Sequence, residues 1–435
     1  SVMCPARRHL ADVRGAVQLA TRATLGVADV AEGVHQSIWR TLGMPGGASP
    51  GRTGGITGTV YRSVRGIARL VGGCADAALA GVEHAAGPVG DDGTVSPRRE
   101  AVLAALNGVI GDHLLATGSP LAIPMSLRRR DGALVLRDPP PTHEATGKVV
   151  LLIHGLCMND RQWRTRSRDR LVDYGEILGK ALGCTPVFLR YNSGLHPSRN
   201  GAELSAQLER LLERWPVPVD ELAVVAHSMG GLVIRSACRW AEQDGSRWLA
   251  RLKNLVFLGT PHHGAPLERA GSWVDSVLAS TPYTASFAAL GLARSAGITA
   301  LRHGSVAEVG ADGDGRRHRD RGVEPVTPLP RGVACFAVAG AATSSCGVLA
   351  DHLVGDGLVP VHSAIGRHRD PRRDLGFAET SRWIAVRTTH LQLLRSPEVA
   401  RRILRWLEPS AAAAPPGAGS TKATGSSPKG VPTER

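Results

Sequence analysis

Three features of the sequence predict an α/β fold with a doubly wound, mostly parallel sheet. Short runs such as VVLLI at 149–153 and LAVVA at 222–226 are apolar throughout, without the in–out alternation of a strand that has one wet face, so both faces are buried. Between such runs, apolar residues recur every three or four positions, the period of a helix with one buried stripe. The two patterns alternate from about residue 130 to residue 408, as parallel strands joined by crossover helices require.

The chain opens differently. Leu10, Val13, Val17, Ala20, Thr24, Val27, Ala31, Val34 and Ile38 form one helical stripe, and Ile56, Val60, Val64, Ile67, Val71, Cys74, Ala78 and Val82 form a second, across the Gly/Pro-rich break GMPGGASPGRTGG. Together they predict an antiparallel helical hairpin with close backbone approach. It reads either as packed structure or as a membrane-surface or partner-binding module, because Arg14, Arg22, Arg62, Arg65 and Arg69 lie off the stripes. A third helix is expected over 98–117.

The catalytic region follows, with a strand in GALVL at 132–136, a strand at Lys148–Ile153 and a helix over about 163–182. Another strand is expected at Thr185–Tyr191, then a helix capped by Ser198 with Leu204, Leu208, Leu211 and Leu212 on its apolar face. Strands at Leu222–Ala226 and Asn254–Leu258 flank a helix running from Met229 to about Gln243. Val333–Ala339 and Trp383–Arg387 supply two more strands, and Ser396 with Pro397 starts a final helix. About 70 residues, 262–332, interrupt this rhythm, too many for a plain connection and suited to a lid. The expected division is an N-terminal helical accessory region, 1–125, a catalytic domain, 130–408, and a disordered tail, 409–435, which has almost nothing to bury.

Composition narrows the partners. Lys and Arg outnumber Asp and Glu by 52 to 38, but they are scattered without aromatic interleaving, so no nucleic-acid partner is expected. The excess fits contact with an anionic membrane surface through the N-terminal helices, or no function at all. The seven cysteines are widely spaced without a CxxC pair and read as reduced thiols, not as a disulfide framework or zinc site. No run approaches the ~20 apolar residues of a membrane span, and residues 1–20 lack signal-peptide order, so a cytoplasmic location is expected.

The chemistry centres on VVAHSMGG. Ser228 follows a strand and precedes a helix, which makes it either a helix cap or a nucleophile. A serine projecting from a sharp strand-to-helix elbow needs small residues two before and two after it, and Ala226 and Gly230 stand there, with Ala226 in place of the usual glycine. The elbow exposes the Met229 N–H at a helix N-terminus, where an oxyanion is stabilised. A second donor is expected from Leu156, after the strand that ends in His154-Gly155; His154 reads as a loop-fixing residue. Asp356, between two glycines in VGDGLVP, is the candidate acid, with Asp351 its nearest competitor and Asp370 and Asp374 in a surface-like run. His390, just past the strand RWIAV, is the candidate base, while His352, His362 and His368 read as loop or surface residues.

These motifs resemble the α/β-hydrolase superfamily, and within it bacterial triacylglycerol-lipase-like esterases. The resemblance rests on HGL at 154–156, AHSMGG at 226–231, LGTPHHGAP at 258–266, DGLVP at 356–360 and THLQLL at 389–394, in that order. It implies an α/β-hydrolase fold with a lid after LGTPHHG and a Ser228–Asp356–His390 triad cleaving carboxylic esters of a lipid-like substrate through an acyl-enzyme. The lid stretch would offer Trp273, Val277, Leu278 and Phe287 to an acyl pocket, or simply a helix core face. No cofactor or metal site is expected. A thioesterase or acyltransferase with the same triad is the alternative, as is a membrane-associated binding protein on a hydrolase fold.

Overall fold

A computed structural model describes residues 5–41, 57–66, 68, 69, 73, 76, 97–130, 132–134, 144–167, 170–265, 295–306, 327–342 and 355–408. The helix α1 (Pro5–Thr41) lies beside a second helix, α2, described over 57–66, and α3 (Pro97–Ala116) follows. Three of the five arginines off the stripes, Arg14, Arg22 and Arg65, are engaged within the protein, while Arg62 and Arg69 are exposed. Arg65 Nη1 pairs with Glu32 (2.5 Å) and Asp29 (2.9 Å) of α1, Arg14 Nε with Asp76 (2.7 Å), and Arg22 Nη2 reaches the Thr117 carbonyl (3.5 Å). Arg62 stays on its own helix, donating to Thr59 Oγ1 (2.9 Å). Among the described residues no helix is long and apolar enough to cross a membrane.

The strands then come as β1 (Ser126–Arg129), β2 (Gly132–Ala133), β3 (Lys148–Ile153), the hairpin β4 (Arg164–Ser167) and β5 (Arg170–Asp173), the helix α4 (Tyr174–Leu182), and β6 (Thr185–Arg190). Next are α5 (Pro197–Arg214), β7 (Glu221–His227), α6 (Met229–Asp244), the short α7 (Trp248–Arg251) and β8 (Leu252–Leu258). The chain ends with α8 (Ala296–His303), β9 (Ala334–Ala341), the single turn α9 (Val361–Ala364), β10 (Arg382–Val386) and α10 (Pro397–Leu407).

Eight strands form one sheet in the order β10-β9-β8-β7-β3-β6-β1-β2. The six from β10 to β6 run parallel, and the β1–β2 hairpin closes the β6 edge antiparallel. Along β3, Val149, Leu151 and Ile153 face the core shared with α3, α5 and α6, while Val150 and Leu152 face the core shared with α4 and α10. Helices thus cover both faces, which is why the sequence shows apolar runs and no alternation. This is the α/β-hydrolase arrangement. After β6 the chain crosses to the other side of β3, so strand order reverses at β3/β7, and the crevice beyond the carboxyl ends there is where open α/β sheets bind ligands.

Two local expectations are corrected, and one strand is added. The helix expected over 163–182 is a hairpin followed by a helix that starts only at Tyr174, capped by Asp173, whose carboxylate accepts the Glu176 N–H (2.9 Å). Trp163 and Val172 reach the same core as Tyr174 and Leu178 from separate elements. The cap of α5 is His196, whose Nδ1 accepts the Ser198 N–H (3.1 Å); Ser198 sits inside the first turn. β1, of sequence SLRR, goes unread because only Leu127 is buried and its neighbours are polar.

Candidate active site

Ser228 occupies the single position between β7 and α6, and its backbone is strained there, with φ 54° and ψ −124°. The left-handed φ costs any residue with a Cβ and persists only where the surroundings impose it. Here the Ser228 N–H is donated to the Leu258 carbonyl (2.8 Å), and the Ser228 carbonyl accepts the Gly231 N–H (3.0 Å). Serine at a helix start ordinarily caps it, yet this side chain makes no cap hydrogen bond, and its Oγ, in a 1% exposed residue, has no partner among the described residues. The elbow depends on Gly230, where a Cβ would lie 2.7 Å from the His154 carbonyl oxygen and 2.8 Å from that of Ile153. Ala226, in register with Ile153 and Phe257 and fully buried, shows that a methyl fits at the other small position.

Asp356 and His390 meet at the end of the sheet. Asp356 Oδ2 lies 2.6 Å from His390 Nδ1, and Oδ1 accepts the N–H groups of Leu358 (3.0 Å) and Val359 (2.8 Å). The flanking glycines make this loop, at φ 44° for Gly355 and 95° for Gly357, and a Cβ on Gly355 would sit 2.0 Å from the Val359 oxygen. The His390 N–H is donated back to the Asp356 carbonyl (3.1 Å), so backbone and side chain hold one pair together. The pair is also tied to the elbow. His227, next to Ser228, donates Nε2–H to the His390 carbonyl (3.1 Å), and the two rings lie 4.7 Å apart. Burial and the neighbouring His390 hold His227 neutral, well below the usual histidine range.

The loop after β3 passes close to the serine, for a Cβ on Gly155 would lie 3.0 Å from Ser228 Cβ and 3.3 Å from Met158 Sδ. His154 fixes this loop. Its Nδ1–H is donated to the Gly155 carbonyl (2.9 Å), its ring stacks on Tyr191 at 4.4 Å, and the Tyr191 hydroxyl donates to its carbonyl (2.8 Å). Burial pushes its pKa down to about 4, leaving a neutral ring with a structural task. The Gly155 carbonyl also accepts the Met158 N–H (3.4 Å). In a trans peptide the N–H points opposite to its carbonyl, so the fully buried Leu156 N–H is aimed away from both donors. At the elbow the same rule turns the Met229 N–H away from the Gly231 amide that the Ser228 carbonyl accepts.

A residue that motif reading passed over stands next to Leu156. Cys157 has φ 58°, and its N–H is donated to Ser193 Oγ (3.0 Å). Burial pushes its thiol up to about 12, so it does not compete as a thiolate nucleophile. Ser193 belongs to Asn192-Ser193-Gly194 just past β6, the same strand-end signal that marks the other loops.

A cavity of about 200 Å³ opens beside these loops, walled by Met158, Leu391 and Leu394 together with Pro97 and Ala101 of α3. Trp273, Val277, Leu278 and Phe287 lie outside the described residues, as do Asp351 and His352. Asp370 and Asp374 are used in local turns, accepting the N–H groups of Arg372 (3.0 Å) and Gly376 (2.8 Å). Among the described residues no cluster of His, Cys, Asp and Glu is arranged to hold a metal.

Comparison with known proteins adds a modest context. A family model described as a domain of unknown function, DUF7379, matches residues 134–304. None of the curated proteins matches. Among solved structures, the mature lipase BlEst2 of Bacillus licheniformis is similar at 19% identity, over 59% of this chain and 91% of that one, with a TM-score of 0.37. The esterase Pf2001 of Pyrococcus furiosus gives 14% identity over 61% and 81%, with a TM-score of 0.34. The RedJ thioesterase of Streptomyces coelicolor, from the prodiginine pathway, gives 14% over 62% and 90%, with a TM-score of 0.36. At these values the likeness is one of fold, and the strand order and site geometry carry the weight.

Proposed function

We propose that the protein is a serine hydrolase that cleaves carboxylic esters through an acyl-enzyme, of the lipase and esterase kind. The observation that carries this reading is a buried serine hydroxyl without a hydrogen-bond partner among the described residues, on a strained elbow tied through His227 to a hydrogen-bonded His390–Asp356 pair.

In the reaction, Ser228 Oγ attacks the ester carbonyl carbon while its proton passes to His390 Nε2, the ring nitrogen not held by Asp356. Asp356 keeps the other proton on Nδ1 and stabilises the imidazolium. The carbonyl oxygen becomes an oxyanion held by the Met229 and Leu156 N–H groups, each donor of this type contributing about 3–4 kcal/mol. Collapse expels the alcohol, which takes the proton from His390 Nε2. Water then attacks the acyl-enzyme by the same route and releases the acid.

The cavity beside Met158, Leu391 and Leu394 is also lined by the polar Asn159, Arg161, Gln162, Thr165 and Arg395. Hydrolysis of p-nitrophenyl esters from acetate to palmitate tests the reading. Turnover of at least one of these esters is expected, after a burst of one nitrophenolate per chain where deacylation is slow. Folded protein that turns over none of these esters would overturn it.

A further inference from the structure

We infer that α3, which precedes the sheet and is no part of its winding, sets the oxyanion-binding loop, with Gly108, Cys157 and Ser193 as positioning residues. The inference rests on the ester-hydrolase reading above and names a device within that site.

The contact is backbone against backbone. A Cβ on Gly108 would lie 2.2 Å from Cys157 Sγ and 2.8 Å from both its Cα and its N, so only glycine lets α3 approach. Cys157 Sγ in turn reaches the Ala105 carbonyl of α3 at 3.8 Å. The thiol and backbone of Cys157 are thus held against the helix while its φ of 58° stays in the left-handed region, a strain that needs an imposing environment.

A second set of contacts closes the circle. α3 departs from helical geometry at Ile110, with φ −135° and ψ 23°, and carbonyls around the irregularity are met from outside the helix. Ser295 Oγ donates to the Gly108 carbonyl (2.7 Å) and Asn192 Nδ2 to that of Gly111 (2.9 Å). Asn192 Oδ1 then accepts the Gly194 N–H (3.0 Å), which fixes the turn carrying Ser193, and Ser193 Oγ accepts the Cys157 N–H (3.0 Å). From α3 through Asn192 and Ser193 to Cys157 and back to α3, each link holds the peptide that follows Leu156. The aim of the Leu156 N–H therefore depends on a helix that lies outside the hydrolase sheet. Pro97 and Ala101 of the same helix wall the cavity beside Met158, so α3 also borders the space next to the oxyanion loop.

Two variants of the full chain test this. Gly108→Ala pushes a methyl into Cys157, and Ser193→Ala removes a single acceptor atom, a change mild enough to leave the fold intact. Each is compared with wild type for kcat and KM on p-nitrophenyl butyrate, for the burst titre of active sites, and for the Ki of butylboronic acid, which forms a tetrahedral adduct. Displacing one oxyanion donor by a fraction of an ångström is expected to lower kcat per titrated site about tenfold or more and to raise Ki by a similar factor, with KM kept within about threefold. A purely structural role would change the titre or the melting temperature alone. Unchanged kcat per site and unchanged Ki in both variants would overturn the inference. Wild type that turns over no ester would sink the parent reading, and this one with it.

Discussion

Replacing Ser228 with glycine is expected to abolish ester turnover and to raise the melting temperature of the protein. The two effects share one cause. Ser228 holds φ 54° and ψ −124° and buries a hydroxyl with no hydrogen-bond partner among the described residues. Such backbone strain costs about 1–3 kcal/mol for a residue with a side chain. Glycine adopts the same angles without that cost, though it gives back about 0.5–1 kcal/mol in unfolded-state entropy. The net gain is about 1–2 kcal/mol, a rise of a few degrees. Activity falls because no other group in the site attacks carbon, by about 10⁴- to 10⁶-fold in kcat/KM. Ser228→Ala keeps the strained Cβ, so it should lose the same activity with a smaller gain in melting temperature. Calorimetry and ester kinetics on the two variants check the pair of effects; equal or lower melting temperature in Ser228→Gly would show that the elbow stores no strain.

Asp356→Asn is expected to lower kcat about 10⁴-fold with little change in KM or folding. Oδ1 of Asp356 accepts two backbone N–H groups, from Leu358 and Val359. The asparagine must keep its carbonyl oxygen there, and its NH₂ then faces His390 Nδ1. A nitrogen that receives a hydrogen bond carries no proton, so the ring proton moves to Nε2, and the ring can no longer take the proton of Ser228. The loop keeps its hydrogen bonds, which separates this variant from Asp356→Ala, where two buried N–H groups lose their acceptor. Kinetics and a thermal melt of Asp356→Asn decide it, and a variant within tenfold of wild type would show that Asp356 does not orient the base.

Much of this was legible in the sequence for a specific physical reason. A parallel strand buried on both faces must be apolar throughout, so β3 reads directly as Lys148–Ile153, and the sharp turns at strand ends need the glycines seen at Gly155, Gly230, Gly355 and Gly357. Ser228, Asp356 and His390 stand beside such signals. What stayed hidden depends on pairing between distant segments. The β4–β5 hairpin stayed hidden because RTRS and RLVD carry no strand period of their own and pair only with each other. The strand β1 has no period of its own and takes its geometry from β6. The ion pairs of Arg14 and Arg65 were not legible because their partners, Asp76 and Glu32, sit tens of residues away. Cys157 gave no local signal, since its strain comes from contact with α3, and the turn at Asn192 carried a strand-end signal without showing its role there.

The nucleophile itself is tested most directly by treating the intact protein with a fluorophosphonate ester and locating the added mass by peptide sequencing. One adduct per chain is expected, on Ser228, absent in Ser228→Ala and formed much more slowly in Asp356→Asn. An adduct on another serine, or none on folded wild-type protein, would contradict the assignment.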